Sequence, residues 1–361
     1  MLNGIRIIDF TQYLPGPHAT LRLADMGAEV IKVESPSGDP SRASSSEHGI
    51  GFVFQAQNRD KKSMVLNLKE KADQQAALDL IGTADVVIEG FRPGVMNRLG
   101  IGYEQALQCK KDIIYCSVTG YGQSGSISHL GGHDINYLSL SGVLAQFKDQ
   151  NGQPILPSTT IADFVGGITA TERILAALVR RGSTGEGAFI DISITDSLLS
   201  LMSNHVMIES LTGDQHGIPR VNSKHICYGI YKTKDNRYVG LGALEPKFWS
   251  NFCKNVNRED WLSAHFSLAN DENPVFLEVK DLFANRTLAE WEQFSKEVDC
   301  CLTPVLETSE LYSHPTYHGR GMIVEQNHLR YMSTKYGMGE EKLEELISPP
   351  ALGEHTLEFK C

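Results

Sequence analysis

The feature that most constrains this chain is its opening: an apolar run at residues 4–10 (GIRIIDF), a helix-period segment at 17–26 closed by Gly27, and a second apolar run at 29–34 (EVIKVE). Two short buried strands joined by a helix form a β-α-β unit, whose crossover returns the chain to the same end of the sheet. A dinucleotide site would place Gly-x-Gly-x-x-Gly in the first turn, but that turn reads Thr11-Gln12-Tyr13-Leu14-Pro15-Gly16-Pro17. Glu34 imitates the acidic ribose ligand of such enzymes. Without the glycines a pyrophosphate has no close approach to the backbone, and a nicotinamide dehydrogenase is set aside.

The same logic repeats downstream. Residues 35–51, rich in Ser, Pro and Gly, read as a mobile surface loop, and the basic cluster Asn58-Arg59-Asp60-Lys61-Lys62 reads as a solvated turn before a strand at 63–68. A helix at 72–83, a strand at 85–89 (DVVIE) and the turn Gly90-Phe91-Arg92-Pro93-Gly94 follow, with Arg98 on a short helix after it. Arg92 thus stands at a strand's carboxyl end, where open α/β sheets bind ligands; it is either a phosphate grip or a structural ion-pair partner.

A strand at 113–118 and the loop 119–125 lead into Gly132-His133-Asp134-Ile135-Asn136-Tyr137, which is predicted to open onto a pocket. Asp163 precedes Phe164, Ile168, Thr171, Leu175 and Leu178, one packed helical stripe, and is a plausible N-cap. An imidazole and a carboxylate near a ligand crevice are what proton abstraction from a weak carbon acid requires. A strand at 188–193 and a helix at 195–211 complete this part of the chain. After residues 212–214 the texture changes: strands at 225–232 and 238–241, Glu245 at a helix start before Pro246, helices at 276–284 and 288–298, and a short segment at 301–305.

Composition narrows the classes. With 33 Lys and Arg against 44 Asp and Glu, a net charge of -11 argues against nucleic acid or an anionic membrane as partner. No apolar run reaches the roughly 18 residues of a membrane span, and the start lacks the form of a signal peptide, so a cytoplasmic protein is expected. The end Phe359-Lys360-Cys361 is not a peroxisomal address. Seven scattered cysteines indicate neither a disulfide framework nor a zinc site.

Taken together the motifs resemble the class III CoA-transferase superfamily, and most closely its 2-methylacyl-CoA racemase branch. They are PGPHATLRLADMGAEVIKVE, NRDKKSMVLNLK, EGFRPGVMNRLGIGY, GGHDINYLSLSGVL, IADFVGGITA, STGEGAFIDISITD, GLGALEPKFW and PPALGEHT, in this order over nearly the whole chain. The resemblance implies a doubly wound, Rossmann-like large domain (1–214) completed by a C-terminal return (316–361), a small α/β domain (215–315) and an interlocked homodimer. It implies an acyl-CoA thioester substrate whose C2 proton is exchanged by two bases, His133 and Asp163, with Glu245 hydrogen-bonded to the imidazole. CoA would meet Leu66, Asn67, Leu68, Lys69, Gly90, Phe91, Arg92 and Arg98, with Gly131, Gly132, Asp134 and Tyr137 near the thioester. No metal or redox cofactor is implied.

Two departures stand out. Ser35 replaces the arginine that racemases often carry before the proline, leaving Arg42 or Arg59 to compensate, and Ile226-Cys227-Tyr228-Gly229-Ile230-Tyr231 replaces the pattern GAPFY. In the CoA-transferase branch the residue matching Asp163 is a nucleophile, and that activity stands as the alternative. A non-catalytic acyl-CoA-binding protein is the third reading.

Overall fold

The computed structural model describes residues 1–43, 51–149, 151–333 and 346–360. The chain divides into two compact units, Met1–Ser203 with Thr316–Cys361, and Asn204–Pro315.

The first unit is built on a six-stranded parallel sheet. Its strands are β1 (Arg6–Asp9), β2 (Glu29–Glu34), β3 (Lys62–Val65), β4 (Val86–Glu89), β5 (Ile114–Thr119) and β6 (Ala188–Ser193), in the order β3-β2-β1-β4-β5-β6. Alternate strand residues feed two separate cores. Ile7, Val30, Val86, Ile114 and Cys116 pack with α1 (Pro15–Asp25), α6 (Asp134–Leu140), α7 (Ile161–Thr184) and α8 (Ile194–Leu199). Ile8, Ile31, Met64, Val87 and Tyr115 pack on the other face with α3 (Lys71–Gly82), α4 (Val95–Arg98) and α5 (Tyr103–Cys109). Burial on both faces is why the inner strands β4 and β5 do not read as simple apolar-polar alternations. One short helix, α2 (Phe52–Gln57), precedes β3.

The C-terminal segment lies along the edge strand β3. His355 N donates to Ser63 O at 2.9 Å, Val65 N to Thr356 Oγ1 at 3.0 Å and Gly353 N to Ser63 Oγ at 2.9 Å. Backbone groups of an edge that would otherwise offer a template for strand pairing are thereby occupied.

Three expectations are corrected here. Residues 35–43 do not form a mobile loop: Pro40–Arg42 is a 3-10 turn, Asp39 is buried against Lys32 at 2.9 Å, and Arg42 grips Glu34 through both Nε and Nη2. Residues 44–50 of that stretch lie outside the described residues. The basic cluster at 58–62 is not a solvated turn either. Arg59 and Lys61 are buried, Arg59 on Asp25 and Asp60, and Lys61 on Asp9, Asn58 Oδ1 and Pro17 O. Their carboxylate partners, apart from Asp60, come from β1 and α1, too distant in sequence for local charge patterning to reveal. The helix expected at 195–211 is interrupted by a 3-10 turn at Ser200–Met202, which divides α8 from α9 (Ser203–Thr212).

The second unit carries an antiparallel sheet of β7 (Tyr228–Lys232), β8 (Tyr238–Gly242) and β9 (Leu302–Pro304). Its core is aromatic: Tyr231 stacks on Phe283 at 4.6 Å, and Phe283 meets Trp291 at 4.7 Å. Among the described residues no helix is long and apolar enough to cross a membrane, no group of His, Cys, Asp and Glu could hold a metal ion, and the cysteines are free thiols.

Candidate active site

In this order successive strands are added outward from β1 on one side and then from β4 on the other, and the crevice at the carboxyl ends of strands around such a switch point is where open α/β sheets bind ligands. A cavity of about 650 Å³ opens there, lined by the loop after β1 (Thr11 to Gly16), the loop after β4 (Gly90 to Pro93), the end of β5 and the turn Gly131-Gly132-His133.

Helix packing brings the two ionisable candidates to this cavity. A side chain at Gly167 would come within 2.6 Å of Pro15 O, so α7 lies tight against the start of α1 only because this position is bare. His133 is the N-cap residue of α6, and its N-H donates to Asn136 Oδ1 at 3.0 Å. Its side chain is exposed, and both His133 and Asp163 line the cavity.

Asp163 is not the N-cap of α7. That helix starts at Ile161, and its first N-H groups are taken by a carboxylate from elsewhere: Asp134 Oδ2 accepts from Ala162 N at 2.6 Å and from Asp163 N at 3.1 Å. The capping work expected of Asp163 is done by Asp134, which does not line the cavity. Among the described residues the Asp163 carboxylate accepts no hydrogen bond. Burial pushes its pKa up from 3.8 to about 6; the neighbouring Asp134 carboxylate adds to the rise and His133 opposes it. Tyr137 closes one wall, its hydroxyl donating to Gly132 O at 2.7 Å and its ring excluding any side chain at Gly120 or Gly132. Burial and the Asp163 charge hold that phenol up at about 12.

Of the residues expected to meet CoA, Gly90, Phe91, Arg92, Gly131, Gly132 and Tyr137 line the cavity. Arg92 is exposed, makes no ion pair among the described residues, and also borders a smaller cavity of about 310 Å³ with Glu89 and Tyr103. Burial raises the Glu89 carboxyl to about 7. Leu66, Asn67, Leu68, Lys69 and Arg98 do not line the larger cavity: Leu66 is in the core beneath α3, Asn67 N is held by Asp73 Oδ2 at 2.7 Å, and Lys69 and Arg98 are exposed. Neither arginine offered in place of the one missing at Ser35 is available. Arg42 is engaged by Glu34 and Pro350 O, and Arg59 is buried. Glu245, in the other unit, is the N-cap residue of the helix Pro246–Asn255; its carboxylate is exposed and makes no capping hydrogen bond. Sequence reasoning passed over Tyr13, Leu14 and Val53, which line the cavity without carrying any recognisable chemistry.

CoA-transferase family III matches residues 2–356. Succinyl-CoA:glutarate CoA-transferase of Mus musculus is 32% identical over 383 residues, covering 98% of this chain and 84% of that protein. Alpha-methylacyl-CoA racemase of Homo sapiens is 32% identical over 364 residues, covering 99% and 92%. A CAIB/BAIF family protein from Brucella suis superposes with a TM-score of 0.86 at 22% identity, covering 99% of this chain and 97% of that one, a likeness of fold.

Proposed function

The chain belongs to CoA-transferase family III, and we propose that within it the protein epimerises 2-methylacyl-CoA thioesters at C2 by a two-base proton transfer. One observation carries this reading: a carboxyl that titrates at about 6, relieved of capping by Asp134, shares a cavity with an exposed imidazole. Such a carboxyl can both take and return a proton near neutral pH. Asp163 or His133 takes the C2 proton, the electron pair moves onto the thioester oxygen as an enolate, and the other group, protonated, delivers a proton to the opposite face. The thioester is unchanged, the configuration is inverted and the two bases have exchanged protonation states, to be reset through solvent. No redox cofactor or metal is called for by that balance.

Within the same proposal Glu245 is the hydrogen-bonding partner of the imidazole; its exposed carboxylate with no capping duty is compatible with that role. A dimer is supported by apolar side chains left exposed: Ile135 and Leu140 on α6, Ile168 and Val179 on α7, and Met207 and Leu211 on α9. Arg92 and Arg98 are assigned to CoA phosphates, with Asn67 to Lys69 alongside the nucleotide end. Arg92→Ala is expected to weaken CoA-ester binding about tenfold to a hundredfold, since a charge-assisted contact contributes roughly 1.5 to 3 kcal/mol. Calorimetric titration with CoA at two salt concentrations checks this; unchanged affinity and undiminished salt sensitivity would remove Arg92 from the site.

The transferase reading draws support from the glutarate transferase, whose identity to this chain equals that of the human racemase. Asp163 would then attack the thioester carbonyl, expelling CoA thiolate. One experiment separates the two: purified protein with a 2-methylacyl-CoA in deuterated water, without a second acid. Incorporation of deuterium at C2 with interconversion of the epimers is expected. No exchange, together with transfer of CoA to added glutarate, would instead establish the transferase.

A further inference from the structure

Tyr13 has a backbone φ of 64°, in the left-handed region that a tyrosine adopts only under constraint. Its side chain is 57% exposed and lines the cavity, and its hydroxyl meets no hydrogen-bond partner among the described residues. Contacts of the side chain therefore do not explain the conformation. What holds it is a set of buried groups behind the loop. Tyr13 N donates to Asp39 Oδ1 at 3.3 Å, Asp39 pairs with Lys32 at 2.9 Å, and Lys32 Nζ also donates to Thr11 O at 2.8 Å. Thr11 N is fixed by Asp9 Oδ1 at 2.8 Å, and on the far side Lys61 Nζ holds Pro17 O at 2.9 Å. Lys32, Asp39 and Lys61 do not line the cavity. Backbone strain of this kind clusters at ligand sites, and here it falls on a side chain in the cavity wall.

The cavity's charge inventory says which ligand. Among its described lining residues only Arg92 and His133 can carry positive charge, and Leu14, Pro15 and Val53 are among its apolar lining. With Arg92 on phosphate and His133 on the C2 proton, no cation remains among the described lining residues for a carboxylate at the far end of an acyl chain. Resting on the acyl-CoA reading above, we propose that Tyr13 is a specificity-determining residue that selects an apolar acyl chain over one ending in a carboxylate. The buried Lys32–Asp39 pair is the positioning element that keeps it there.

The test compares KM and kcat for 2-methylacyl-CoA esters of graded chain length, and binding of glutaryl-CoA and of CoA itself, in wild-type protein and in Tyr13→Gly, Tyr13→Phe and Asp39→Asn. Glycine takes the left-handed backbone without strain, so Tyr13→Gly is expected to keep or raise the melting temperature. In the same variant KM for the longer apolar chains rises about tenfold or more, the range in which apolar pockets discriminate, while CoA affinity is unchanged. Tyr13→Phe restores the wild-type profile, and Asp39→Asn shifts KM in the direction of Tyr13→Gly with kcat within a few-fold. An unaltered chain-length profile in Tyr13→Gly, with turnover and CoA affinity intact, would overturn this inference alone, as would wild-type preference for glutaryl-CoA over apolar esters. Wild-type protein that binds no CoA ester would remove the acyl-CoA reading and this inference with it.

Discussion

Asp163→Asn is expected to lower epimerisation by about 10²- to 10⁴-fold, the usual contribution of a positioned acid or base, and in the same variant to make the folded protein more stable. The second effect follows from the first group's environment. The Asp163 carboxyl titrates at about 6 in the folded chain against 3.8 for an ordinary aspartate, with burial and then Asp134 as the causes. Above about pH 6 the folded state must carry an ionised group that it disfavours, so the destabilisation is complete there. It fades as pH falls and is gone below 3.8, where both states hold the proton. Removing the acid is therefore expected to contribute about 1 to 3 kcal/mol near pH 7.5 and little near pH 3.5. Denaturant unfolding at the two pH values measures it. Equal stability changes at both would show that Asp163 carries no such ionisation strain.

Stereochemistry makes the activity loss diagnostic. If His133 and Asp163 face opposite sides of C2, residual deuterium exchange in His133→Ala is confined to the epimer that Asp163 deprotonates, and in Asp163→Asn to the other. Damage to folding lowers both exchanges together and does not mimic that crossover. Loss of exchange from the same epimer in both variants, with CoA affinity kept, would refute opposed bases. Complete loss of CoA transfer in Asp163→Asn, with none in His133→Ala, would point to the nucleophile instead.

Strands β2 and β6 were legible to the residue as short runs rich in Val and Ile, EVIKVE and AFIDIS. The strand order was not, since nothing in a run such as VVIE says which neighbour it will choose. His133 and Asp163 could be singled out as candidates from their place after a strand and at a helix start. That Asp134 caps α7 could not: its two bonds span 28 and 29 residues, and an aspartate next to a histidine carries no mark of which helix it serves. Tyr13 escaped notice for a related reason. Left-handed backbone is legible at glycine and invisible at tyrosine, where tertiary contacts impose it.

Arg59 shows how large the hidden part can be. Within one basic cluster, Lys62 is 37% exposed and pairs with Glu29 and Glu358 at the surface, whereas Arg59 is 1% exposed. Its guanidinium meets both oxygens of Asp25, at 2.5 and 2.8 Å, and donates to Met332 O at 2.9 Å, joining α1 to the C-terminal segment. Arg59→Met would leave the buried Asp25 carboxylate without its bidentate partner. Breaking such a pair from one side destabilises by about 3 to 5 kcal/mol, a large part of the roughly 5 to 15 kcal/mol that holds a domain folded. Lys62→Met, three residues on, is expected to lose less than about 1 kcal/mol, because its partners stay in water. The double variant Arg59→Met with Asp25→Leu removes both charges and is expected to recover most of the loss, since two apolar side chains of similar volume need no desolvation of ions. Urea unfolding of the three variants decides the matter. If Arg59→Met is no less stable than Lys62→Met, the buried pair does not stabilise the fold in the way its geometry indicates.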